Sequence, residues 1–125
     1  IPGIIEGASK GVGLGIRFLK HISRTKMLLN IIDCSGKSYE DIIEEVDKIK
    51  LELNSYDESL LKKDKWIVIN KIDMLEAKDI EDLKKCFDKT KLNVYFISTI
   101  NKTGIKELTN EIYEFLKYEN RIKEV

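Results

Sequence analysis

The sequence predicts an α/β fold in which three parallel strands form a sheet with flanking helices. The prediction rests on three short apolar runs, at residues 27–33, 66–70 and 93–98. Each run is rich in β-branched or aromatic residues and nearly continuous in apolar character, which is typical of strands covered on both faces. A helical pattern follows each run, and this alternation favours parallel strands joined by right-handed crossovers.

Helices are predicted where apolar residues recur at three- and four-residue spacing. The first covers residues 14–24. The second begins near Tyr39, where Ser38 and Asp41 have the spacing of a capping box. The last two have apolar stripes formed by Ile80, Leu83 and Phe87, and by Ile105, Leu108, Ile112, Phe115 and Leu116. Because sheets average about 5–6 strands, we expect three strands to be part of a larger sheet.

Composition limits the classes of protein that the chain can represent. Its 125 residues suit one domain, and 22 basic residues balance 22 acidic ones, so no charged patch for nucleic acid or an anionic membrane is expected. No apolar run approaches the roughly 20 residues of a membrane-spanning helix. The two cysteines, Cys34 and Cys86, have neither metal-site spacing nor the density of a secreted disulfide scaffold. We therefore expect a reduced, cytoplasmic protein.

Polar residues follow each predicted strand: Asp33, then Asn70-Lys71-Ile72-Asp73, then Ser98-Thr99. Ligands of open α/β sheets bind beyond the carboxyl ends of the strands. A carboxylate at Asp73 is able to accept hydrogen bonds from both the ring N1–H and the exocyclic amine of guanine, a donor pair that adenine lacks. The strand ends therefore predict a site for a guanine base.

The other residues of these loops suit the same ligand. The Asn70 amide is able to bridge neighbouring loops, the aliphatic stem of Lys71 is able to cover a flat base, and the loop after Ser98 offers backbone N–H groups to the guanine O6. Asn-Lys-Ile-Asp is also ordinary loop chemistry, so a purely structural role stays open. A flavodoxin-like protein is the less favoured alternative, because nothing at the strand ends resembles a flavin phosphate loop.

The segment Ser35-Gly36-Lys37-Ser38 ends in the Gly-Lys-Ser of a phosphate-binding loop. The full motif needs a first glycine five positions before the second. That position is Ile31, which lies inside the predicted strand. We therefore interpret Ser38 as a helix cap and not as part of a phosphate site.

The chain resembles the Obg family of translational GTPases over almost its entire length. Its first fifteen residues, IPGIIEGASKGVGLG, are similar to the family signature, and Phe18-Leu19 and His21-Ile22 follow it. Residues 70–73 match the family's guanine motif. Ser98-Thr99 stands where the family usually has Ser-Ala, and Thr103-Gly104-Ile105 with Leu108 matches the start of its last helix.

The resemblance implies a truncated P-loop NTPase (Ras-like) G domain. Residues 1–125 are then the C-terminal part of that domain, with its switch II region, guanine-recognition loops and last helix. The phosphate loop, the first switch and the Mg²⁺ ligands are expected upstream of Ile1, so no metal ligand or catalytic residue is expected in this chain. The implied GTP-binding residues are Ile1, Pro2, Gly3, Asn70, Lys71, Ile72, Asp73, Ser98, Thr99 and Ile100.

The resemblance also implies an activity for the parent protein. It is expected to bind GTP or GDP with Mg²⁺, to hydrolyse GTP, and to act as a monomer in assembly of the large ribosomal subunit and in stress responses. Hydrolysis is expected to be slow, because Ile4 follows Gly3 where Ras-like enzymes carry a water-positioning Gln. The 125-residue chain by itself is expected to be inactive. The alternative is a non-catalytic α/β interaction module that no longer binds nucleotide.

Overall fold

The computed structural model describes residues 20–56 and 62–124, without the side chains of residues 56 and 120–124. The elements are β1 (Met27–Asp33), α1 (Tyr39–Tyr56), β2 (Asp64–Asn70), a single 3₁₀ turn (Ile72–Met74), α2 (Ala77–Asp88), β3 (Asn93–Phe96) and α3 (Ile105–Glu124). Of the helix predicted over residues 14–24, the described part is helical at residues 20–23. No helix of the described residues is long and apolar enough to cross a bilayer.

The three strands form one parallel sheet, as predicted, and their order in it is β1-β2-β3. β2 begins two residues earlier than predicted, because Asp64 and Lys65 pair with the first residues of β1. β3 ends two residues earlier than predicted, at Phe96. The chain leaves the ladder there, since Ser98 forms an isolated antiparallel bridge with Thr103.

One face of the sheet is covered by α1 and α2. Ile67 and Ile69 of the central strand point to this face, where they join Ile42 of α1 and Leu83 of α2 in a buried cluster. α1 and α2 lie on the same side because each joins a strand to the next parallel strand in the same direction by a right-handed crossover.

The opposite face of β2 packs against α3. Trp66 and Val68 point to this side and form a second buried cluster with Leu108. The Trp66 ring lies 5.2 Å from Tyr95 and 5.6 Å from Phe115, measured between ring centroids. β2 is therefore covered on both faces, which is the reason for its continuous apolar sequence.

β1 is less covered than β2. Leu29 and Ile31 are 38% and 59% exposed, whereas Ile32 on the other face of the strand is fully buried. Within the described residues β1 pairs only with β2. An apolar strand with an open edge and a half-open face agrees with the expectation that the sheet is part of a larger one.

The start of α1 confirms the predicted capping box. The Ser38 hydroxyl accepts the Asp41 backbone N–H at 3.2 Å, and the Asp41 carboxylate accepts the Ser38 N–H at 3.1 Å. These two bonds satisfy N–H groups that have no partner inside the helix.

The central strand carries the stability of this arrangement. We expect Ile69→Ala to lower the free energy of unfolding by about 2–5 kcal/mol, because it removes a fully buried side chain between two helices and leaves a cavity. The matched control is Leu51→Ala on α1, where the side chain is 69% exposed and the expected change is within about 0.5 kcal/mol. Urea unfolding of both variants measures the difference, and equal midpoints would contradict the assigned core.

Candidate functional site

The sheet register brings the carboxyl ends of all three strands to one edge. Asp33 lies opposite Asn70, and Ile69 lies opposite Phe96. The polar residues after β1 and after β3 therefore each start within one strand spacing of Asn70. The loops that follow β2 and β3 leave the sheet side by side.

Asn70 connects the three strand ends through its side chain and its peptide group. Its Oδ1 accepts the N–H of Lys71 at 2.8 Å and the N–H of Thr99 at 3.4 Å, so the amide bridges the loops after β2 and β3. Its backbone carbonyl accepts the N–H of Cys34 at 3.1 Å and the Cys34 thiol at 2.9 Å. This thiol is completely buried, and burial raises its pKa.

Asp73 lies in the 3₁₀ turn that follows the Asn70–Lys71 corner. Its Oδ1 accepts a hydrogen bond of 2.6 Å from the Ser98 hydroxyl, which in turn accepts the N–H of Asn101 at 3.2 Å. Ser98 is completely buried, whereas Asp73 is exposed. A buried hydroxyl thus orients an exposed carboxylate and leaves it accessible to a ligand.

Lys71 has a left-handed backbone, with φ of 69°. Its ammonium group lies 2.8 Å from Oδ2 of Asp33. The other oxygen of Asp33 accepts the N–H of Ser35 at 2.9 Å and its hydroxyl at 2.7 Å. The bond from Lys71, followed by those from Ser35, holds the pKa of Asp33 well below its usual range, and the same carboxylate raises the pKa of Lys71.

The loop after β3 is held at both ends by backbone hydrogen bonds. The Ser98 N–H donates to the Thr103 carbonyl at 3.0 Å, and the Ile72 N–H donates to the Ile97 carbonyl at 3.2 Å. Between them Thr99 and Ile100 are exposed, with 74% of Ile100 accessible. Backbone and side chains of this loop tip are therefore available beside Asp73.

These groups fit a guanine base. Asp73 supplies the carboxylate acceptor, the loop tip at Ile100 supplies a candidate backbone donor, and the Lys71 stem supplies an aliphatic surface. Within residues 20–56 and 62–124 no cluster of three His, Cys, Asp or Glu side chains is placed to hold a metal ion. The described residues therefore offer groups that fit the base of a nucleotide.

The structure brings seven of the ten predicted site residues to this edge: Asn70, Lys71, Ile72, Asp73, Ser98, Thr99 and Ile100. The Ile72 side chain packs against the buried cluster under α1 and α2, so it attaches the loop after β2 to the hydrophobic core. The remaining three, at residues 1–3, lie outside the described residues.

Two contributors were not among the predicted site residues. Asp33 was noted only as a strand-end residue, and its contact with Lys71 depends on the register between β1 and β2. Gly104 has φ of 74°, and a Cβ placed on it would lie 2.4 Å from the Phe96 carbonyl oxygen. A glycine directly before a predicted helix was the available signal for that position.

The segment Ser35–Ser38 has a structural role in this fold. The Lys37 ammonium group forms an ion pair of 2.8 Å with Glu45 of α1. Ser38 caps the same helix, and Ser35 binds Asp33. The predicted role of Ser38 as a cap is confirmed.

A parallel sheet flanked by helices, with an Asn-Lys-x-Asp corner after one strand and a Ser-led loop after the next, defines a piece of a Ras-like G domain. Residues 1–71 match the family model described as 50S ribosome-binding GTPase. The chain belongs to this GTPase family, and its predicted resemblance to Obg proteins is confirmed.

Three curated relatives named GTPase Obg illustrate the similarity. The protein of Buchnera aphidicola subsp. Baizongia pistaciae is 45% identical over 96% of this chain and 36% of its own length. That of Persephonella marina is 45% identical over 98% of this chain and 37% of its own length. That of Lachnoclostridium phytofermentans is 41% identical over 94% of this chain and 28% of its own length. The chain thus spans about a third of these relatives.

The conformation of Gly104 is the feature of the site most sensitive to a single methyl group. We expect Gly104→Ala to destabilise the protein by about 1–3 kcal/mol, because an added Cβ both strains a positive φ and meets the Phe96 carbonyl. The control is Gly36→Ala, which also has a positive φ but nothing within 4 Å of the added methyl. Thermal unfolding of both variants separates the cost of the positive φ, which they share, from the cost of the contact with Phe96, which only Gly104→Ala has. An equal loss of stability in both variants would show that the close approach to Phe96 is unimportant.

Proposed function

We propose that the protein to which this chain belongs binds guanine nucleotides, with Asp73 as the residue that selects the base. The observation that carries the proposal is the exposed Asp73 carboxylate, oriented by the buried Ser98 hydroxyl at 2.6 Å. A carboxylate has about four acceptor positions, and Ser98 uses one of them. The remaining positions suffice for the N1–H and the amine of guanine.

We further propose that the chain is the C-terminal part of a G domain, in which the phosphate loop and the Mg²⁺ ligands belong to the preceding segment. Two facts support this division. The relatives named GTPase Obg are roughly three times as long as the matched region. In the part that the structure describes, the only Gly-Lys-Ser segment is occupied in helix capping and ion pairing.

The proposed activity of the whole protein is slow hydrolysis of GTP to GDP. Ile4 supports the slow rate, because an aliphatic side chain cannot orient water by hydrogen bonding. The description of the matching family, a 50S ribosome-binding GTPase, supports the large ribosomal subunit as the partner. We propose that the protein acts in the cytoplasm as a monomer during assembly of that subunit and in stress responses.

Base selection by Asp73 is testable in the full-length protein. We expect Asp73→Asn to weaken GTP binding about tenfold to hundredfold and to improve binding of XTP, because the amide presents a donor to the carbonyl that xanthine has in place of the amine. Competition binding with both nucleotides measures the preference. The control is Asp88→Asn, an exposed acid that ends α2, at the opposite end of that helix from the loop that carries Asp73. An unchanged preference in Asp73→Asn would show that Asp73 does not select the base.

The proposal that the phosphate loop and the Mg²⁺ ligands belong to the preceding segment is testable with the 125-residue chain by itself. We expect it to bind GTP with a Kd of about 1 mM or weaker and to release no phosphate, because the base contacts supply only a few hydrogen bonds and lost ligand freedom offsets part of their free energy. Isothermal titration with GTP and Mg²⁺, beside a phosphate-release assay, measures both, with the full-length protein as control. Micromolar binding or steady turnover by the chain would contradict the proposed division.

A further inference from the structure

The stem of Lys71 is useful as a cover for a base only if its direction is fixed. A lysine side chain has many rotamers, and ordering them upon ligand binding carries an entropic cost. Asn70 fixes the backbone of Lys71. Its Oδ1 accepts the Lys71 N–H at 2.8 Å and so stabilises the left-handed backbone conformation of that residue. The far end of the side chain needs a second point of attachment.

Asp33 provides that attachment from the neighbouring strand. Its Oδ2 lies 2.8 Å from the Lys71 ammonium group, and the register places Asp33 directly opposite Asn70. Asp33 is itself fixed, because its Oδ1 accepts two hydrogen bonds from Ser35. The Lys71 stem therefore extends from the corner after β2 to the end of β1, with both ends held.

We propose that Asp33 is a positioning residue for guanine nucleotides: it anchors the Lys71 ammonium group at the end of β1 and so keeps the aliphatic stem in place as one wall of the base site. This inference rests on the proposed function, since it assigns a role within the same site. It also gives the ammonium group a fixed carboxylate partner, so that Lys71 acts on the base through its stem and not on the phosphates through its charge.

The direction in which nucleotide affinity changes when the Asp33 charge is removed distinguishes this positioning role from simple electrostatics. Nucleotide phosphates are anionic, so removing a negative charge nearby would by itself strengthen binding. Loss of an anchor for Lys71 weakens binding instead. Because the ion pair is about half exposed, we expect a modest change, on the order of twofold to fivefold.

The test uses the full-length protein and the dissociation constant of GDP, measured with a fluorescent GDP analogue and competing GDP. Asp33→Asn is expected to weaken GDP binding about twofold to fivefold. The matched control is Glu45→Gln, which removes the charge of the carboxylate paired with Lys37 and is expected to leave the Kd unchanged. Tighter or unchanged binding by Asp33→Asn would overturn the inference.

A double-mutant cycle tests whether Asp33 acts through Lys71. In a Lys71→Ala background, Asp33→Asn is expected to have no further effect, because the stem that it positions is gone. The same weakening in both backgrounds would assign Asp33 to the general structure of the loop and overturn the positioning role.

A third variant keeps the test decisive if Asp33→Asn fails to fold. Lys71→Met retains most of the aliphatic stem but lacks the ammonium group, so it removes the anchor without changing β1. We expect it to weaken GDP binding as much as Asp33→Asn does, and wild-type affinity in Lys71→Met would overturn the inference. Failure of the wild-type protein to bind GDP would instead contradict the proposed function itself, so the two failures are distinguishable.

Discussion

The geometry of the candidate site depends on the hydrogen bonds of one residue, Asn70, at the end of the central strand. Its carbonyl binds the backbone and thiol of Cys34 after β1, and its side-chain oxygen binds the backbone of Lys71 and of Thr99 after β3. Parallel strands place their ends side by side, but the loops that leave them are free to diverge. Asn70 prevents this, because one amide oxygen accepts from two loops at once. The positions of Asp33, Asp73 and the tip of the Ser98 loop relative to each other follow from that connection.

The central strand is able to hold Asn70 in place because it is buried on both faces. Ile67 and Ile69 pack against α1 and α2, while Trp66 and Val68 pack against α3. The rigid base of the site is thus a strand with no solvent-facing side chain between residues 66 and 69. β1 lacks this cover on one face, where Leu29 and Ile31 are exposed. The core and the geometry of the candidate site therefore both depend on β2, the strand with four buried residues.

Much of this arrangement could be predicted from the sequence, because it depends on local patterns. The parallel direction of the strands followed from strand–helix alternation, and the cap at Ser38 followed from the spacing to Asp41. The site at the strand ends followed from the rule that parallel strands share an edge. The strand bounds were wrong by two residues at Asp64 and at Phe96, since pairing with a neighbour, and not apolar character, decides where a ladder begins and ends. The Lys71–Asp33 pair and the close approach of Gly104 to Phe96 could not be predicted, because each depends on distances across the fold.

In the proposed base site, the contact that would select guanine is ordered by the fold itself. The exposed Asp73 carboxylate would lose freedom on binding if it were mobile, and that loss would reduce affinity. Ser98 fixes one of its oxygens from a fully buried position, and the hydroxyl is itself fixed by the Asn101 N–H. The Asp73 carboxylate is therefore ordered when the protein folds and not when a ligand binds. Ser98 orders it, and Ser98 is buried as part of the loop after β3. The same logic applies to Lys71, which is held by Asn70 at its backbone and by Asp33 at its charge. In the proposed site, selectivity for the base then depends on rigid neighbours as much as on the groups that would touch it.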